Sequence, residues 1–240
     1  MKKILLLIIS IVVIAGCIGG GPPKVNPSNG ISINRFIAAP SEERTGGIVL
    51  FDLEIENVGG TTARNVRVDL FGVEKQWRNT DGSLVTSTLT KFGTVKLKPP
   101  NQETQVPGDF KITQWQLMTP EVPQGVAPSL PVEARVSFDY NTSGFLRIPA
   151  VSDQELEIRR IKNQPIASPE IVNSEGPLKI TIAERFSRHI IVDTEDPTAG
   201  ESVPLRIEFT NVGDGFPITE GESGKITGTI KLFGPGAEFE

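Results

Sequence analysis

Cysteine and histidine each occur once in the 240 residues. Within one chain that excludes a disulfide framework, a Cys/His zinc site and a Cys–His catalytic pair. Serine and threonine are common, but no G-x-S-x-G turn is present, and any Ser-His-Asp triad would depend on the lone His189. No glycine-rich loop joins a strand to a helix in the way a phosphate cradle requires. Positive charge is in deficit: 24 Lys and Arg stand against 29 Asp and Glu, a net −5. That balance argues against general nucleic-acid binding, which needs a basic footprint to neutralise phosphates. Amphipathic helical stretches of 12 or more residues with caps are missing as well. Glycine (24) and proline (19) are abundant, together roughly 18% of the chain against an ordinary roughly 12%. This suits many turns and many short strands. Hydrophobic content of 38% with 22% charged residues is enough for a packed core.

The N-terminus carries an address. Met1-Lys2-Lys3 is followed by an apolar run from Ile4 to Ala15, broken only by Ser10. Twelve helical residues span roughly 18 Å, short of the roughly 30 Å bilayer core, so the run fits a signal peptide better than a transmembrane helix. It ends in Ile14-Ala15-Gly16-Cys17, then Gly19-Gly20-Gly21-Pro22-Pro23. This pattern resembles the lipobox of prokaryotic lipoproteins. The resemblance implies cleavage after residue 16 and a diacylglyceryl thioether on Cys17, which would hold the chain on the extracytoplasmic side of the cell membrane. Residues 17–30, rich in Gly, Pro, Asn and Ser, read as a flexible tether.

From Ile31 onward the apolar period is two. Phe51, Leu53 and Ile55 alternate with Asp52, Glu54 and Glu56; Val66, Val68 and Leu70 alternate with Arg67 and Asp69; Val132 to Tyr140 alternates longest. Further strands are expected around 31–37, 94–97, 110–117, 145–148 and 155–161. Strands parted by Gly, Pro, Asn and Asp clusters point to an antiparallel sandwich. The chain also repeats itself. Phe51 to Gly60 aligns with Pro204 to Asp214 when their Asn-Val-Gly triplets are superposed, and Val68-Asp69-Leu70-Phe71-Gly72 aligns with Ile230-Lys231-Leu232-Phe233-Gly234. The stretch between them is eight residues longer in the second copy, around Pro217 to Gly224. Ile31-Ser32-Ile33 matches Ile180-Thr181-Ile182 as the opening strand. Asn-x-Gly after an alternating strand reads as turn chemistry, in which Asn tolerates unusual backbone angles and Gly supplies positive φ.

An alternating strand, Asn57-Val58-Gly59, then Ala63 to Val68 resembles the CARDB family of cell-adhesion-related domains and related immunoglobulin-like domains of archaeal and bacterial surface proteins. That resemblance implies immunoglobulin-like sandwiches used for adhesion or scaffolding, with Trp115 in a core strand, and brings no catalytic residue. The expected organisation is a signal peptide (1–16), a tether (17–30), one immunoglobulin-like sandwich (31–161), a Pro-rich linker (162–177) and the N-terminal half of a second sandwich (178–240). A half sandwich exposes an apolar face, so the chain is expected to be the N-terminal portion of a longer protein, to lean on its first domain, or to meet a partner by strand addition.

Candidate chemistry is thin. His189 has no second His or Cys nearby and reads as a strand or loop residue. Asp193, Glu195, Asp196 and Glu201 fit no EF-hand spacing and read as a solvated loop. Asp52, Glu54 and Glu56 read as a wet sheet face, balanced if Arg64, Arg67 or lysines lie across from them. Trp77, flanked by Lys75, Gln76 and Arg78, is expected near the surface or on a long loop, where it could stack on a sugar or a partner, although core burial or edge packing is the favoured role. Asn141-Thr142-Ser143 is an N-glycosylation sequon in a turn. The expectation is therefore a non-enzymatic lipoprotein acting in adhesion, scaffolding or assembly, without cofactor, metal or catalytic residue. It binds the membrane through Cys17 and a surface protein or copies of itself, and no nucleic acid. The alternatives are a solute- or ion-binding lipoprotein, disfavoured by the lack of helices, and an accessory module of a longer cell-surface enzyme.

Overall fold

The computed structural model describes residues 26–182, 189–192, 206–219, 222–223, 226–231 and 233. The chain is all-β, with two sheets packed face to face. The first sheet joins β1 (Ile31–Ala39), β2 (Ile48–Asn57), β6 (Phe110–Met118) and the two-residue β4 (Arg78–Asn79) in the order β1-β2-β6-β4. The second joins β3 (Ala63–Phe71), β5 (Leu89–Leu97) and β7 (Glu133–Asp139) in the order β5-β3-β7. All pairs in both sheets are antiparallel. The two sheets make an antiparallel sandwich, with no further strand beside β7 among the described residues.

Alternation builds the core. Phe51, Leu53 and Ile55 of β2 and Trp115 and Leu117 of β6 face Ala63, Val66, Val68 and Leu70 of β3 and Leu97 of β5, all of them buried. Trp77 is buried too, edge-on to Phe51 with ring centroids 5.2 Å apart and planes at 72°. Its polar neighbours point away while the indole closes the end of the core.

Strand directions sort the loops into two groups. Residues 26–30, 58–62, 98–109 and 140–143 lie at one end, and residues 40–47, 72–88 and 119–132 at the other. A nine-residue strand separates the two ends by about 30 Å.

Two local expectations need correction. β5 starts at Leu89, not Thr94, because Phe92 (φ 65°) and Gly93 (φ 135°) form a bulge that the strand passes through. Residues 155–161 are not a strand but part of α1 (Asp153–Ile161). Ser152 caps it, its hydroxyl accepting from the Glu155 amide at 3.1 Å. Asp153 and Glu155 sit in the first turn and Arg159 and Arg160 in the last, complementing the helix dipole, and Arg159 reaches Glu155 at 2.6 Å. At nine residues, the helix is too short for a periodicity test over 12.

Beyond the sandwich, β8 (Gly144–Arg147) pairs with β10 (Glu170–Asn173), so the Pro-rich stretch 162–177 contains a strand. β9 (Ala150–Ser152) pairs in parallel with β12 (Ile190–Val192). The second repeat holds β11 (Leu178–Ile182) antiparallel to β13 (Ile207–Asn211), and a small hairpin of β14 (Ile218–Thr219) and β15 (Glu222–Ser223).

Candidate functional site

Polar side chains concentrate at the end of the sandwich where residues 26–30 lead into β1. Asn57, the last residue of β2, is fully buried. Its side-chain amide donates to the carbonyls of Thr61 (2.9 Å) and Leu97 (2.7 Å), and its side-chain oxygen accepts from the Gly59 amide (3.1 Å). The amide of Val58 donates to Gly30 O at 2.8 Å. One asparagine thus ties the turn to the facing sheet, while the amides of Val58 and Gly59 hold the lead-in at Gly30, meeting backbone needs that burial would leave open.

The second Asn-Val-Gly repeats three of these bonds, without a counterpart of the bond to Leu97 among the described residues. Asn211 donates to Gly215 O (2.6 Å), Gly213 N donates to the Asn211 side-chain oxygen (3.2 Å), and Val212 N donates to Pro177 O (2.8 Å). The bonds also fix the register. Leu178 stands opposite Asn211 as Ile31 stands opposite Asn57, so the counterpart of Ile31-Ser32-Ile33 is Leu178-Lys179-Ile180, two residues earlier than sequence matching places it. The motif's mechanism differs from the expected one as well. Neither Asn57 nor Gly59 has a positive φ. The asparagine is needed for its amide, and Gly59 for space: a methyl there would fall on the Tyr140 hydroxyl and come 3.0 Å from the Gly30 Cα.

Tyr140, just beyond β7, is the second hub. Its hydroxyl accepts from Thr61 N (3.1 Å) and donates to Glu175 O (3.0 Å), and its ring packs edge-on to Phe138. The neighbouring Asn29 exchanges two hydrogen bonds with Asp214, donating at 2.8 Å and accepting at 3.2 Å. These contacts join the lead-in, the first Asn turn, the inter-repeat segment and the second Asn turn.

The carboxylate row on β2 is not a uniformly wet face. Asp52 is buried beneath Arg35 of β1, which lies 2.8 Å from Asp52 and 3.6 Å from Glu54, and Asn34 donates to Glu56 at 2.8 Å. Arg67 instead grips the buried Asp69 on its own strand, with Thr90 donating to the same carboxylate at 2.6 Å. The Asp69 carboxylate holds the guanidinium pKa above its ordinary value, first through their hydrogen bond and then through their opposite charges.

The opposite end is loop-rich. A cleft of about 360 Å³ lies among Lys75, Arg78, Leu84, Glu121 and Pro128, with Arg78 3.3 Å from Glu121. A second cleft of about 310 Å³ opens between β5 and β6. In the loop after β3, the Glu74 carboxyl is held below its ordinary pKa by its own backbone amide, by the Thr88 hydroxyl (2.9 Å) and by the Gly72 amide (3.0 Å). A depressed carboxylate stabilises the fold above its unfolded pKa and stops doing so as pH falls through the folded value. The Tm of the wild type should therefore exceed that of Glu74→Gln by a small, constant amount from pH 7 down to about 5. The difference should shrink once pH falls below about 4.3 and vanish only after pH has passed below the lowered folded value. A gap that widens on acidification would refute this assignment.

Among the sequence candidates, Asn141 is exposed in the turn after β7, its backbone carbonyl accepting from the Thr61 hydroxyl at 3.0 Å. His189 is half-buried, immediately before β12. Trp115 is in the core, as expected from its strand. Cys17, and the acidic group Asp193, Glu195, Asp196 and Glu201, lie outside the described residues. Among the described residues, no three His, Cys, Asp or Glu side chains converge as a cation site, and no helix is long and apolar enough to cross a membrane. Sequence reasoning missed Tyr140 as a hub, and its only sequence signal was its place at the end of the longest alternating strand. No protein-family model matches the chain, nor does any curated protein or solved structure.

Proposed function

We propose that this chain is a lipoprotein held through Cys17 on the extracytoplasmic side of the cell membrane, where immunoglobulin-like, CARDB-like β modules serve non-enzymatically in adhesion, scaffolding or assembly. The observation that carries the reading is the N-terminal sequence: a basic start, a short apolar run, and Ile14-Ala15-Gly16-Cys17 leading into a Gly/Pro tether. Two acyl chains on one cysteine bind a bilayer stably where a single chain binds only marginally. The position of the lead-in supports it. Residues 26–30 join the sandwich at the Asn57 end, and the loops 40–47, 72–88 and 119–132 lie at the opposite end, about 30 Å away, where a surface partner would meet them. Asn141, exposed in its sequon, is the position proposed for N-glycosylation on such a surface.

The test is fractionation of cells expressing Cys17→Ala. Near-complete release of the protein from the membrane fraction is expected, with the wild type retained. Retention of the variant would show that the apolar run itself is the anchor and would overturn the lipid assignment. Cross-linking in intact cells followed by recovery of the wild-type chain then tests the scaffold role, which predicts a defined surface complex.

A further inference from the structure

The sandwich has four edges, and three of them carry features that discourage pairing with another chain. β1 is bulged between Ile33 and Arg35. β5 is bulged at Phe92 and Gly93, and it sets Lys91 opposite the core residue Val68. On its side away from β2, β6 is covered by β4 at Leu117 and Met118, and towards its other end Lys111 stands opposite the buried Ile55. β7 has none of these features. It pairs with β3 alone among the described residues. The extra residue in that pairing lies on β3, between Arg64 and Arg67, so β7 itself is regular. No proline or lysine interrupts Glu133 to Asp139. Ala134 and Val136 are only half-buried, although Leu70 and Val68 opposite them are fully enclosed. β8, the next strand along the chain, pairs with β10 and not with β7.

The residues of β7 also specify what pairs with it. When a strand edge meets its own copy antiparallel across a two-fold axis, positions equally distant from the central residue face each other. With Ser137 at the centre, Arg135 of each copy meets Asp139 of the other, Val136 meets Phe138, and Ser137 meets itself. Opposite charges then face each other on the outer side and apolar side chains on the core side, the pairs that stabilise a sheet. Other centres do worse. Val136 sets Glu133 against Asp139, Arg135 sets the arginine against itself, Phe138 loses both ion pairs, and Ala134 brings in Pro131, which has no N–H. Arg135 and Asp139 are exposed, and each is held in place: the guanidinium lies 4.7 Å from the Phe71 ring centroid, and Asp139 accepts from the Asn65 amide at 2.6 Å. We propose that two copies of this chain pair edge to edge along β7, centred on Ser137, and join their three-stranded sheets into one of six. The paired stretch, 135–139, stops short of the sequon at Asn141. This rests on the adhesion and assembly reading above and names the partner as a second copy, but it does not require the lipid.

The test uses the full chain, solubilised from membranes in detergent. Ser137→Cys places two thiols across the axis, where facing Cα atoms stand about 4.5–5.5 Å apart, a distance that a disulfide spans. Mild oxidation is expected to give a disulfide-linked dimer. Glu133→Cys, roughly 27 Å from its copy in this register, should stay monomeric. No dimer from Ser137→Cys, or equal dimer from both variants, overturns the proposal. The wild type, whose only cysteine is Cys17, serves as the control. A disulfide in the wild type would reveal a free thiol there and count against the lipid anchor, and sedimentation under reducing conditions then decides the pairing without any thiol. Reversible dimerisation of the wild type is expected, with Arg135→Asp and Asp139→Arg each associating at least about tenfold more weakly, since either change sets like charges against each other twice. Mixed as differently tagged chains, the two variants restore both ion pairs and should associate about as tightly as the wild type. A folding defect would not be repaired by mixing. A wild type that stays monomeric at all concentrations, or a mixture as weak as its components, overturns the pairing.

Discussion

Asn57→Ala is expected to destabilise the sandwich by about 3 kcal/mol, whereas Asn211→Ala costs less than about 1 kcal/mol, although the two side chains make the same local bonds. The difference comes from burial. Removing Asn57 strands two carbonyls and an amide, Thr61 O, Leu97 O and Gly59 N, at a fully enclosed site. Each unmet buried group costs about 1–3 kcal/mol, partly relieved where a carbonyl keeps another partner. Asn211 is exposed, so water can reach the groups its removal would leave. For a domain of this size, the first loss lowers Tm on the order of 15 °C. Asn57→Asp should do worse than alanine, because it keeps the acceptor for Gly59 N but turns a carboxylate toward two carbonyls. Thermal and urea melts of the four chains decide the matter. Equal losses at the two positions would mean that the turn, not its burial, sets the energy.

The same pair of asparagines shows how far the fold was legible. Alternation located β6 and β7 within a residue and the centres of β2 and β3, missing the first three residues of each, because a strand half-buried on one face must repeat every second residue. The repeat was legible because its signature lies in consecutive residues. Its cause was not: Asn-x-Gly suggested backbone angles, while the structure uses the amide of Asn57 and the absence of a side chain at Gly59. Such a need is set by Leu97, Gly30 and Tyr140, which are distant in sequence. Asp52 was misread for a related reason. Alternation assigns it to the outer face correctly but cannot say that Arg35 lies over it. Helix α1 was missed because its evidence is one cap and a charge gradient, and nine residues give periodicity too little to work with. The candidate site was less legible than the fold. The sequon and Cys17 are local words, whereas the Tyr140 junction is built from four separated segments.

That junction carries the second large effect. Gly59→Ala should cost about 3 kcal/mol, from overpacking together with the hydrogen bonds lost when the tyrosine is displaced. Since φ at Gly59 is not positive, the backbone itself accepts alanine, and the cost is steric. Tyr140→Phe, which keeps the ring and gives up the bonds to Thr61 N and Glu175 O, should cost about 1 kcal/mol. The double variant is the discriminating measurement. With the hydroxyl gone, the new methyl meets only the ring carbon that bore it, 3.0 Å away, and Gly30 Cα at the same distance, contacts that relax by a few tenths of an ångström. Gly59→Ala in the Tyr140→Phe background should therefore cost about 1 kcal/mol less than in the wild type, a coupling within the range measured for residues in contact. Strict additivity would mean that the alanine is accommodated by movement of Gly30 and the lead-in instead. The tyrosine would then not be the element that fixes the inter-repeat segment against the first turn. A coupling of the expected sign places that role on a single hydroxyl. It also explains why the glycine of the first Asn-Val-Gly must remain a glycine at a position where backbone geometry alone would not require one.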